Sequence, residues 1–448
     1  MSRPDPVNPV RALTPPMGWN SFDSYGTSVT EAEVLDNATF LAQRMRRFGW
    51  DTVVIDIQWY DPTARAGGYN EEPAVEIDGY GRQQPAPNRF PSSAGGAGFA
   101  PLAERIHALG LRFGLHIMRG IPRQAVELDL PVAGTSWTAS QIADPGTRCR
   151  WNPDNDGLDH DHPGAQAYYD SQVAMFAAWG VDFVKADDML SPYRHADVEA
   201  YARAIARSGR PIMLSLSPGS DVSLAQLDHL RAHATMWRIC GDLWDRWSDL
   251  EAQFARAARW APWQGPTGWA DADMLPLGHL GVRAEVGDDR LSALTFEEQR
   301  TMVTLWTIAR SPLMVGGDLP TSPDATIGLL TNADVLRMHG GTADNREVLR
   351  EGDLVVWTAH ATDTAGERYA AVFWLGDRPT RVDLPLPAVT DAVTDIATAT
   401  VVDVWSGQNV AVDAEKTGSI GLDIPAHGCR LLRLVPVSRQ PSVPVAAS

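Results

Sequence analysis

Residues 180–188 read Gly-Val-Asp-Phe-Val-Lys-Ala-Asp-Asp, an apolar run that ends in ionisable side chains. The stretch Asp182–Asp188 predicts a β-strand, because it is short, contains Phe and Val, and follows a glycine. Residues two apart on a strand share a face, so Lys185 and Asp187 are expected to point the same way. Such a pair at the end of an apolar strand indicates a site at that end of a parallel sheet.

Seven further runs between about residue 17 and residue 320 also predict strands, and helical stretches lie between many of them. The strands are Met17–Ser21, Thr52–Trp59, Arg112–Met118, Pro211–Ser217, Thr235–Cys240, Thr267–Ala270 and Pro312–Val315. The amphipathic stretches are Val34–Phe48, Pro101–Leu109, Ala165–Trp179, Asp197–Arg207, Ser248–Trp260 and Glu297–Ala309. Alternating strands and helices indicate a parallel sheet, and eight such units predict a closed (β/α)8 TIM barrel.

Polar or aromatic side chains end nearly every predicted strand. They are Asp56 and Trp59, His116 and Arg119, Lys185 with Asp187 and Asp188, Ser215 and Ser217, Arg238 and Asp242, and Asp271 and Asp273. A closed barrel brings the carboxyl ends of all its strands to one face, and barrel enzymes have their active sites there. The sequence therefore predicts a single site built from these side chains.

Beyond about residue 330 the strands become short and alternating, which predicts an antiparallel β-sandwich. They are Val355–His360, Tyr369–Leu375, Thr380–Leu384, Thr400–Val404 and Cys429–Val435. We expect an N-terminal extension at 1–14, a catalytic barrel at 15–330, the sandwich at 331–437 and a disordered tail at 438–448. The long segment from Gly120 to Asp161, between the third and fourth strands, predicts a lid or a subsite wall.

Composition excludes several classes of function. The formal net charge is −18, which disfavours nucleic acid and anionic membranes as partners. No apolar run approaches the length of a membrane span, and the first residues contain no signal-peptide core. The 3 cysteines are scattered, which indicates reduced thiols and a cytoplasmic protein. Several of the 16 tryptophans lie close to carboxylates in the sequence, as Trp59 and Trp244 do, and flat rings beside carboxylates suit sugars. We therefore expect a carbohydrate substrate, with no cofactor and no metal, and we leave homo-oligomerisation open.

Two aspartates are candidates for acid–base and nucleophilic chemistry. Retaining glycoside hydrolysis needs two carboxyl groups about 5 to 5.5 Å apart. Asp187 is the candidate nucleophile, because the ammonium of Lys185 favours its ionised form. Asp242 is the candidate acid/base, and Trp244 and Trp247 nearby offer the apolar surroundings that a general acid needs. Capping of a helix N-terminus is the alternative role for Asp242.

One further run has a spacing that is found in metal sites. Residues 159–162 read Asp-His-Asp-His, and His-x-His ligands occur in barrel hydrolases. The run lies in a loop rich in Asn and Asp rather than at the end of a strand, so we predict no metal site there.

Six stretches of the predicted barrel carry distinctive residue patterns. They are Pro15-Pro16-Met17-Gly18-Trp19-Asn20-Ser21, Val54-Ile55-Asp56, Asn88-Arg89-Phe90-Pro91, Gly180-Val181-Asp182-Phe183-Val184-Lys185, Gly268-Trp269-Ala270-Asp271-Ala272-Asp273-Met274-Leu275 and Ser311-Pro312-Leu313-Met314. In this order they resemble the motifs of glycoside hydrolase family 27, the melibiase family of α-galactosidases and α-N-acetylgalactosaminidases. The resemblance implies a barrel followed by a sandwich and a double-displacement mechanism.

The resemblance also implies roles for individual residues. Asp187 becomes the nucleophile, and Asp242, four residues after Arg238, becomes the acid/base. The sugar-binding residues expected on this basis, together with those at the strand ends, are Trp19, Asp56, Trp59, His116, Lys185, Ser217, Arg238 and Asp273.

The chain departs from the family pattern at four positions. Ile57 follows Asp56, where the family has two successive aspartates that hold O4 and O6 of galactose. His116 replaces a tyrosine, and Met189 stands where a disulfide cysteine is expected. Ser217 replaces the glutamate that reads the 2-substituent in α-galactosidases, and serine occurs there in the N-acetylgalactosamine branch. The change to Ile57 removes a charged hydrogen bond worth about 1.5 to 3 kcal/mol.

We therefore expect a retaining, exo-acting, α-galactosidase-like hydrolase. Within the same class the alternatives are an enzyme for α-N-acetylgalactosaminides, for β-L-arabinopyranosides or for another α-glycoside. A sugar-binding pseudoenzyme is the alternative of a different class, and the presence of both Asp187 and Asp242 argues against it. A metal-dependent barrel hydrolase would be revealed by sensitivity to chelators.

Overall fold

The computed structural model describes residues 10–70, 72–220, 222–389, 400–412 and 418–435. By their contacts these residues form two compact units. The first takes in the described residues of Met1–Arg256, Trp263–Leu294 and Ser311–Thr331. The second takes in Ala257–Pro262, Thr295–Arg310 and the described residues from 332 onward. The predicted tail at 438–448 and positions 1–9 of the predicted extension lie outside the described residues.

The first unit contains an eight-stranded parallel sheet. Its strands are β1 Met17–Asn20, β2 Thr52–Ile55, β3 Arg112–Met118, β4 Phe183–Asp187, β5 Met213–Leu216, β6 Met236–Arg238, β7 Trp269–Asp271 and β8 Leu313–Val315. The strand order is β7-β6-β5-β4-β3-β2-β1-β8. Leu275, just after β7, pairs in parallel with Val315 of β8 and closes the sheet. The predicted (β/α)8 barrel is confirmed.

Helices follow the strands in the order expected of a barrel. They are α1 Glu31–Phe40, α2 Ala100–Ala108, α3 Pro163–Trp179, α4 His195–Ser208, α5 Leu227–His233, α6 Trp247–Trp260, α7 Phe296–Ile308, α8 Asp324–Leu330 and α9 Ala333–Gly340. One-turn helices lie at Phe22–Tyr25, Arg123–Glu127 and Ala139–Ile142. Every residue of β2 is buried, because barrel strands are covered on both faces. No helix among the described residues is long and apolar enough to cross a membrane.

The long segment between β3 and α3 folds into an ordered insert. Its short strands Ile121–Pro122, Ala143–Asp144 and Asn155–Leu158 form an antiparallel sheet. The Tyr60 hydroxyl donates to Asp154 Oδ2 over 2.6 Å, and Asn155 Nδ2 donates to the Met118 carbonyl over 3.2 Å. Both hydrogen bonds are buried, so the insert is tied to residues that follow β2 and end β3.

The second unit is an antiparallel sandwich. Its strands are β9 Thr342–Glu351, β10 Leu354–Ala361, β11 Arg368–Trp374, β12 Thr380–Pro385, β13 Thr400–Asp403, β14 Ser419–Ile424 and β15 Cys429–Val435. A five-stranded sheet in the order β9-β10-β11-β15-β13 faces the pair β12-β14. One apolar cluster takes residues from both sheets, among them Val372 and Leu432 from the larger and Leu384 and Ile420 from the smaller. The predicted sandwich is confirmed.

Candidate active site

A cavity of about 320 Å³ opens among residues at and after the carboxyl ends of the barrel strands. Six of the side chains predicted for the site line it: Asp56, Lys185, Asp187, Arg238, Asp242 and Asp273. They come from β2, β4, β6 and β7 or from the residues directly after them. The barrel therefore brings together at one end groups that are distant in sequence.

A buried ion pair lies on one side of the cavity. Lys185 Nζ lies 2.8 Å from Asp56 Oδ2, which also accepts a hydrogen bond of 2.7 Å from Asn20 Nδ2. Burial opposes ionisation of Asp56, but the charges of Lys185 and His116 outweigh it and lower the pKa of Asp56 below its usual range. The pair presents fixed donors and acceptors to a polar ligand.

Asp187 is held as a carboxylate although most of its side chain is shielded from solvent. His116 Nε2 lies 3.0 Å from Asp187 Oδ2, and the Asp188 N–H donates to Oδ1 over 2.8 Å. Burial tends to raise the pKa of Asp187, but the hydrogen bond and charge of His116, with Lys185 and Arg238, lower it. A carboxylate kept ionised in a cavity is suited to act as a nucleophile.

His116 has a different place from the one expected. It was predicted to contact the sugar, but its side chain is 1% exposed and does not line the cavity. It lies against the Asp187 carboxylate instead, because β3 and β4 are paired with His116 opposite Lys185. The structure therefore places His116 against the Asp187 carboxylate and outside the cavity lining.

Arg238 contacts two acidic side chains that line the cavity, Asp242 and Asp273. Its Nη2 lies 2.5 Å from Asp242 Oδ1, and its Nη1 lies 3.1 Å from Asp273 Oδ1. The Asp242 side chain is 63% exposed, so Trp244 and Trp247 do not enclose it as expected. Helix α6 begins only at Trp247, which rules out the capping alternative for Asp242. An exposed carboxyl at the mouth of the cavity can exchange protons with a leaving group and with water.

Asp273 has an unusual backbone conformation. Its φ is 84°, and its Oδ2 accepts a hydrogen bond of 2.8 Å from the Leu243 N–H. Burial raises the pKa of Asp273, although Arg238 opposes the shift. Residues after β7 are thereby linked to the loop that carries Asp242.

Besides His116, three predicted sugar-binding residues do not reach the cavity. Trp19 and Trp59 are fully buried and donate their indole N–H to backbone carbonyls, of Gly317 over 2.9 Å and of His116 over 2.8 Å. Ser217 is 1% exposed, and Pro218 and Ser220 line the cavity in its place. These residues pack behind the site rather than in it.

Several lining residues were not among the predicted site residues, although one of them, Trp151, lies in the segment Gly120–Asp161 that was predicted to form a lid or a subsite wall. They are Phe22, Asp23, Tyr69, Trp151 and Glu285. Asp23 is 3% exposed, its Oδ2 has no hydrogen-bond partner, and burial, followed by the charge of Asp273, raises its pKa well above the usual value. Asp23 closely follows β1, as Asp242 follows β6, and that spacing was the available signal. Nothing in the local pattern distinguished Tyr69 and Glu285, which lie in loops, and the length of the loop was the signal for Trp151.

The two histidines of residues 159–162, where the sequence predicts no metal site, both contact other protein groups. His160 Nε2 lies 3.0 Å from Asp197 Oδ1, and His162 Nδ1 accepts from the Gly164 N–H at the start of α3. Both histidines serve structural contacts. Among the described residues, one group with metal-ligand spacing is Glu199 with His229 and His233, and none of these lines the cavity.

Comparison with known proteins agrees with this geometry. A family model described as alpha galactosidase A matches residues 155–340, and one described as the alpha galactosidase C-terminal beta sandwich domain matches residues 351–434. A crystal structure of a family 27 β-L-arabinopyranosidase from Geobacillus stearothermophilus is 44% identical, with a TM-score of 0.91, covering 96% of this chain and 98% of that chain.

The chain belongs to glycoside hydrolase family 27. A Bacillus halodurans structure, named as a proposed α-N-acetylgalactosaminidase, is 41% identical with a TM-score of 0.84, covering 96% of this chain and 99% of that one. An α-galactosidase of Cyamopsis tetragonoloba is 25% identical over 95% of this chain and 87% of its own length.

As predicted, this family 27 member is a glycosidase, and the retaining mechanism is general to the family. Its substrate is therefore a carbohydrate.

Proposed function

We propose that this family 27 enzyme is a retaining exo-glycosidase that releases terminal β-L-arabinopyranosyl residues. Asp187 acts as the nucleophile and Asp242 as the acid/base. The observation that carries the choice of sugar is Ile57, in the place where the family has a second aspartate.

Ile57 packs directly behind apolar residues of the site and does not itself line the cavity. It is 1% exposed and belongs to the same apolar cluster as Phe22, Trp244 and Met274, which line the cavity. Galactose needs a polar partner for the hydroxyl on C6. β-L-Arabinopyranose has the same arrangement of ring hydroxyls but lacks that hydroxymethyl group, so an apolar side chain suits it. The Geobacillus relative that is 44% identical is a β-L-arabinopyranosidase, which supports the same sugar.

The groups around the cavity supply both steps of a double displacement. In the first step Asp187 attacks the anomeric carbon while the bond to the leaving oxygen breaks and Asp242 gives that oxygen a proton. In the second step Asp242 takes a proton from water, the water attacks the same carbon, and Asp187 leaves. Lys185, Arg238 and His116 favour the anionic form of Asp187, which both starts and ends the cycle.

Sugar hydroxyls are held by the remaining buried polar groups. Asp56 and Lys185 form one ion pair beside the nucleophile, and Asp273 and Arg238 form another on the opposite side. Asp23 contributes a further carboxyl group with an oxygen that no protein group engages. Together these groups give a pocket suited to a single terminal pyranose.

The test is the release of nitrophenol from aryl glycosides by the purified chain. The panel contains the β-L-arabinopyranoside, the α-D-galactoside, the α-N-acetylgalactosaminide and the α-D-glucoside. We expect the highest kcat/KM on the arabinopyranoside and lower but measurable turnover of the galactoside. A higher kcat/KM on the α-galactoside or the α-N-acetylgalactosaminide would transfer the proposal to that sugar. Turnover of none would favour the sugar-binding pseudoenzyme.

α-Galactosidase activity is the second candidate. Asp56 and Lys185, which the family resemblance assigns to sugar binding, form an ion pair in the cavity, and the second aspartate of this strand end is missing. The hydroxyl on C6 would then lie against an apolar wall without a hydrogen bond, which lowers the affinity but leaves the reaction possible.

We also propose that the enzyme is cytoplasmic. The support is that Cys149, Cys240 and Cys429 are all buried and unpaired. Burial raises the pKa of Cys240 above its usual range, and buried thiols of this kind are typical of reducing compartments. Cell fractionation with an antibody to the chain would test the location.

A further inference from the structure

Aromatic rings form a continuous row from the cavity to its rim. The centroids of Trp244 and Phe22 lie 6.3 Å apart, those of Phe22 and Tyr69 lie 6.2 Å apart, and those of Tyr69 and Trp151 lie 5.8 Å apart. All of these residues line the cavity. Trp244 is 7% exposed and Phe22 9% exposed, whereas Trp151 is 41% exposed. The row therefore leads from the buried pocket to solvent.

Trp151 is held in its exposed place by anchored neighbours. Cys149 is 9% exposed and Asn152 only 1% exposed, and Asn152 Oδ1 accepts from the Asp154 N–H over 3.0 Å. Asp154 in turn accepts hydrogen bonds from Tyr60 and Gln58. The ordered insert thus presents a large apolar face to water next to the cavity, and such exposed faces mark binding surfaces.

Polar groups lie close to this outer part of the row. Asp242, whose side chain is 63% exposed, lines the same cavity, as does the exposed Glu285. Burial and the charge of Glu285 raise the pKa of Tyr69, so its phenol remains a hydrogen-bond donor. Two carboxyl groups disfavour an anionic ligand here, whereas a neutral sugar can stack its C–H face on a ring and hydrogen-bond at its edge.

We propose that Tyr69 and Trp151 form an aglycone subsite that binds a neutral sugar as the leaving group. The terminal sugar removed by the enzyme is accordingly attached to an oligosaccharide rather than to a small alcohol. This inference rests on the proposed exo-glycosidase function. It places the leaving sugar beside Asp242, which gives its proton to the oxygen of that sugar when the glycosidic bond breaks.

The experiment compares Trp151→Ala with the unchanged enzyme on two kinds of substrate that share the preferred terminal sugar. The first is the glycosyl fluoride, whose leaving group is one atom and cannot reach the subsite. The second is a set of disaccharides with a neutral sugar on the leaving side. We expect kcat/KM for the best disaccharide to fall about tenfold, the value of one aromatic stacking contact, and kcat/KM for the fluoride to stay within about twofold.

Two further variants act as controls. Trp263→Ala removes a tryptophan that is 44% exposed but does not line the cavity, and it should change neither rate. Trp151→Phe keeps an aromatic face and should recover most of the disaccharide rate. Equal losses on both substrates, or no loss on the disaccharide, would overturn the aglycone subsite. Absence of turnover on the fluoride and on all disaccharides by the unchanged enzyme would instead overturn the proposed function.

Discussion

Ile57, the residue after Asp56, is apolar where the family pattern has a second aspartate. Ile57 is enclosed in an apolar cluster, whereas its neighbour Asp56 is ionised and paired with Lys185. The chain therefore keeps one carboxylate for the ring hydroxyls and lacks the one that the family uses for the hydroxyl on C6. On the proposed function, this position controls the choice between two sugars that share their ring stereochemistry.

Ile57→Asp should shift the choice toward galactose. A charged hydrogen bond is worth about 1.5 to 3 kcal/mol, so we expect the ratio of kcat/KM for the α-galactoside to that for the β-L-arabinopyranoside to rise at least tenfold. The ratio does not depend on how much of the variant folds. Ile57→Val, which keeps the site apolar, is the control, and an unchanged ratio in both variants would contradict the role of Ile57.

Asp23 should act as a neutral hydrogen-bonding group. Burial raises its pKa well above the usual value, and asparagine resembles the protonated carboxyl in shape. We expect Asp23→Asn to keep kcat/KM within about threefold near pH 6 and Asp23→Ala to lose about tenfold, chiefly through KM. Steady-state kinetics on the aryl glycoside measures both. Equal rates for the alanine variant and the unchanged enzyme would remove Asp23 from the binding residues.

At the scale of elements, strand periodicity explains which site residues could be predicted. Lys185, Asp187 and Arg238 lie on strand ends, where alternation fixes the face, and their positions at the cavity agree with that expectation. We expected Trp19 and Trp59 to face the sugar, but both are buried outside the cavity lining. An aromatic residue near a strand end can pack behind the barrel as readily as it can face the ligand. Side chains from loops, such as Trp151, depend on the path of the loop, which local sequence does not determine.

Substitution of Gly120, where the insert begins, should destabilise the insert. Gly120 has a φ of 92°, and a Cβ there would overlap the carbonyl oxygen of Asp156. We expect Gly120→Ala to destabilise the protein by about 1 to 3 kcal/mol and to expose residues 121–158 to limited proteolysis.

Gly134→Ala is the matched control for this prediction. Gly134 lies in the same insert with a φ of 73°, but a Cβ there would meet no atom within 4 Å. It should therefore show only the smaller cost of the backbone conformation. An equal loss of stability in both variants would contradict the importance of the contact with Asp156.

At the scale of the molecule, two segments before the expected boundary near residue 330 group with the second unit: Ala257–Pro262 and Thr295–Arg310. Helix α7 groups by its contacts with the second unit, where it packs on β10, β11 and β15. Helical periodicity showed that these residues form a helix between two barrel strands. It did not show which neighbours its apolar face would contact, because that is decided by residues far along the chain.

Stability of the whole enzyme should fall as the pH rises toward neutrality because of Asp271. Burial, followed by the charge of Asp273, raises the pKa of Asp271 to about 7. Between the pKa of the unfolded chain and about 7 the folded state binds the extra proton, so the free energy of unfolding decreases over that interval. Asp271→Asn removes this cost, and its gain in Tm should be larger at pH 8 than at pH 5.

Calorimetry of the asparagine variant at both pH values measures this effect. Asp36→Asn, at an exposed aspartate of α1, is the control and should show no such difference. A gain of equal size at both pH values, or a loss at pH 8, would contradict the assignment of the raised pKa to Asp271.

The most direct test of the mechanism is turnover by Asp187→Ala with and without azide. Loss of the nucleophile should lower kcat by at least about 10⁴-fold. Azide, which fits the space of the missing carboxylate, should restore part of the rate and yield a glycosyl azide whose anomeric configuration is inverted relative to the substrate. A near-normal rate without azide, or a rescued product that retains the configuration, would contradict a double displacement through Asp187.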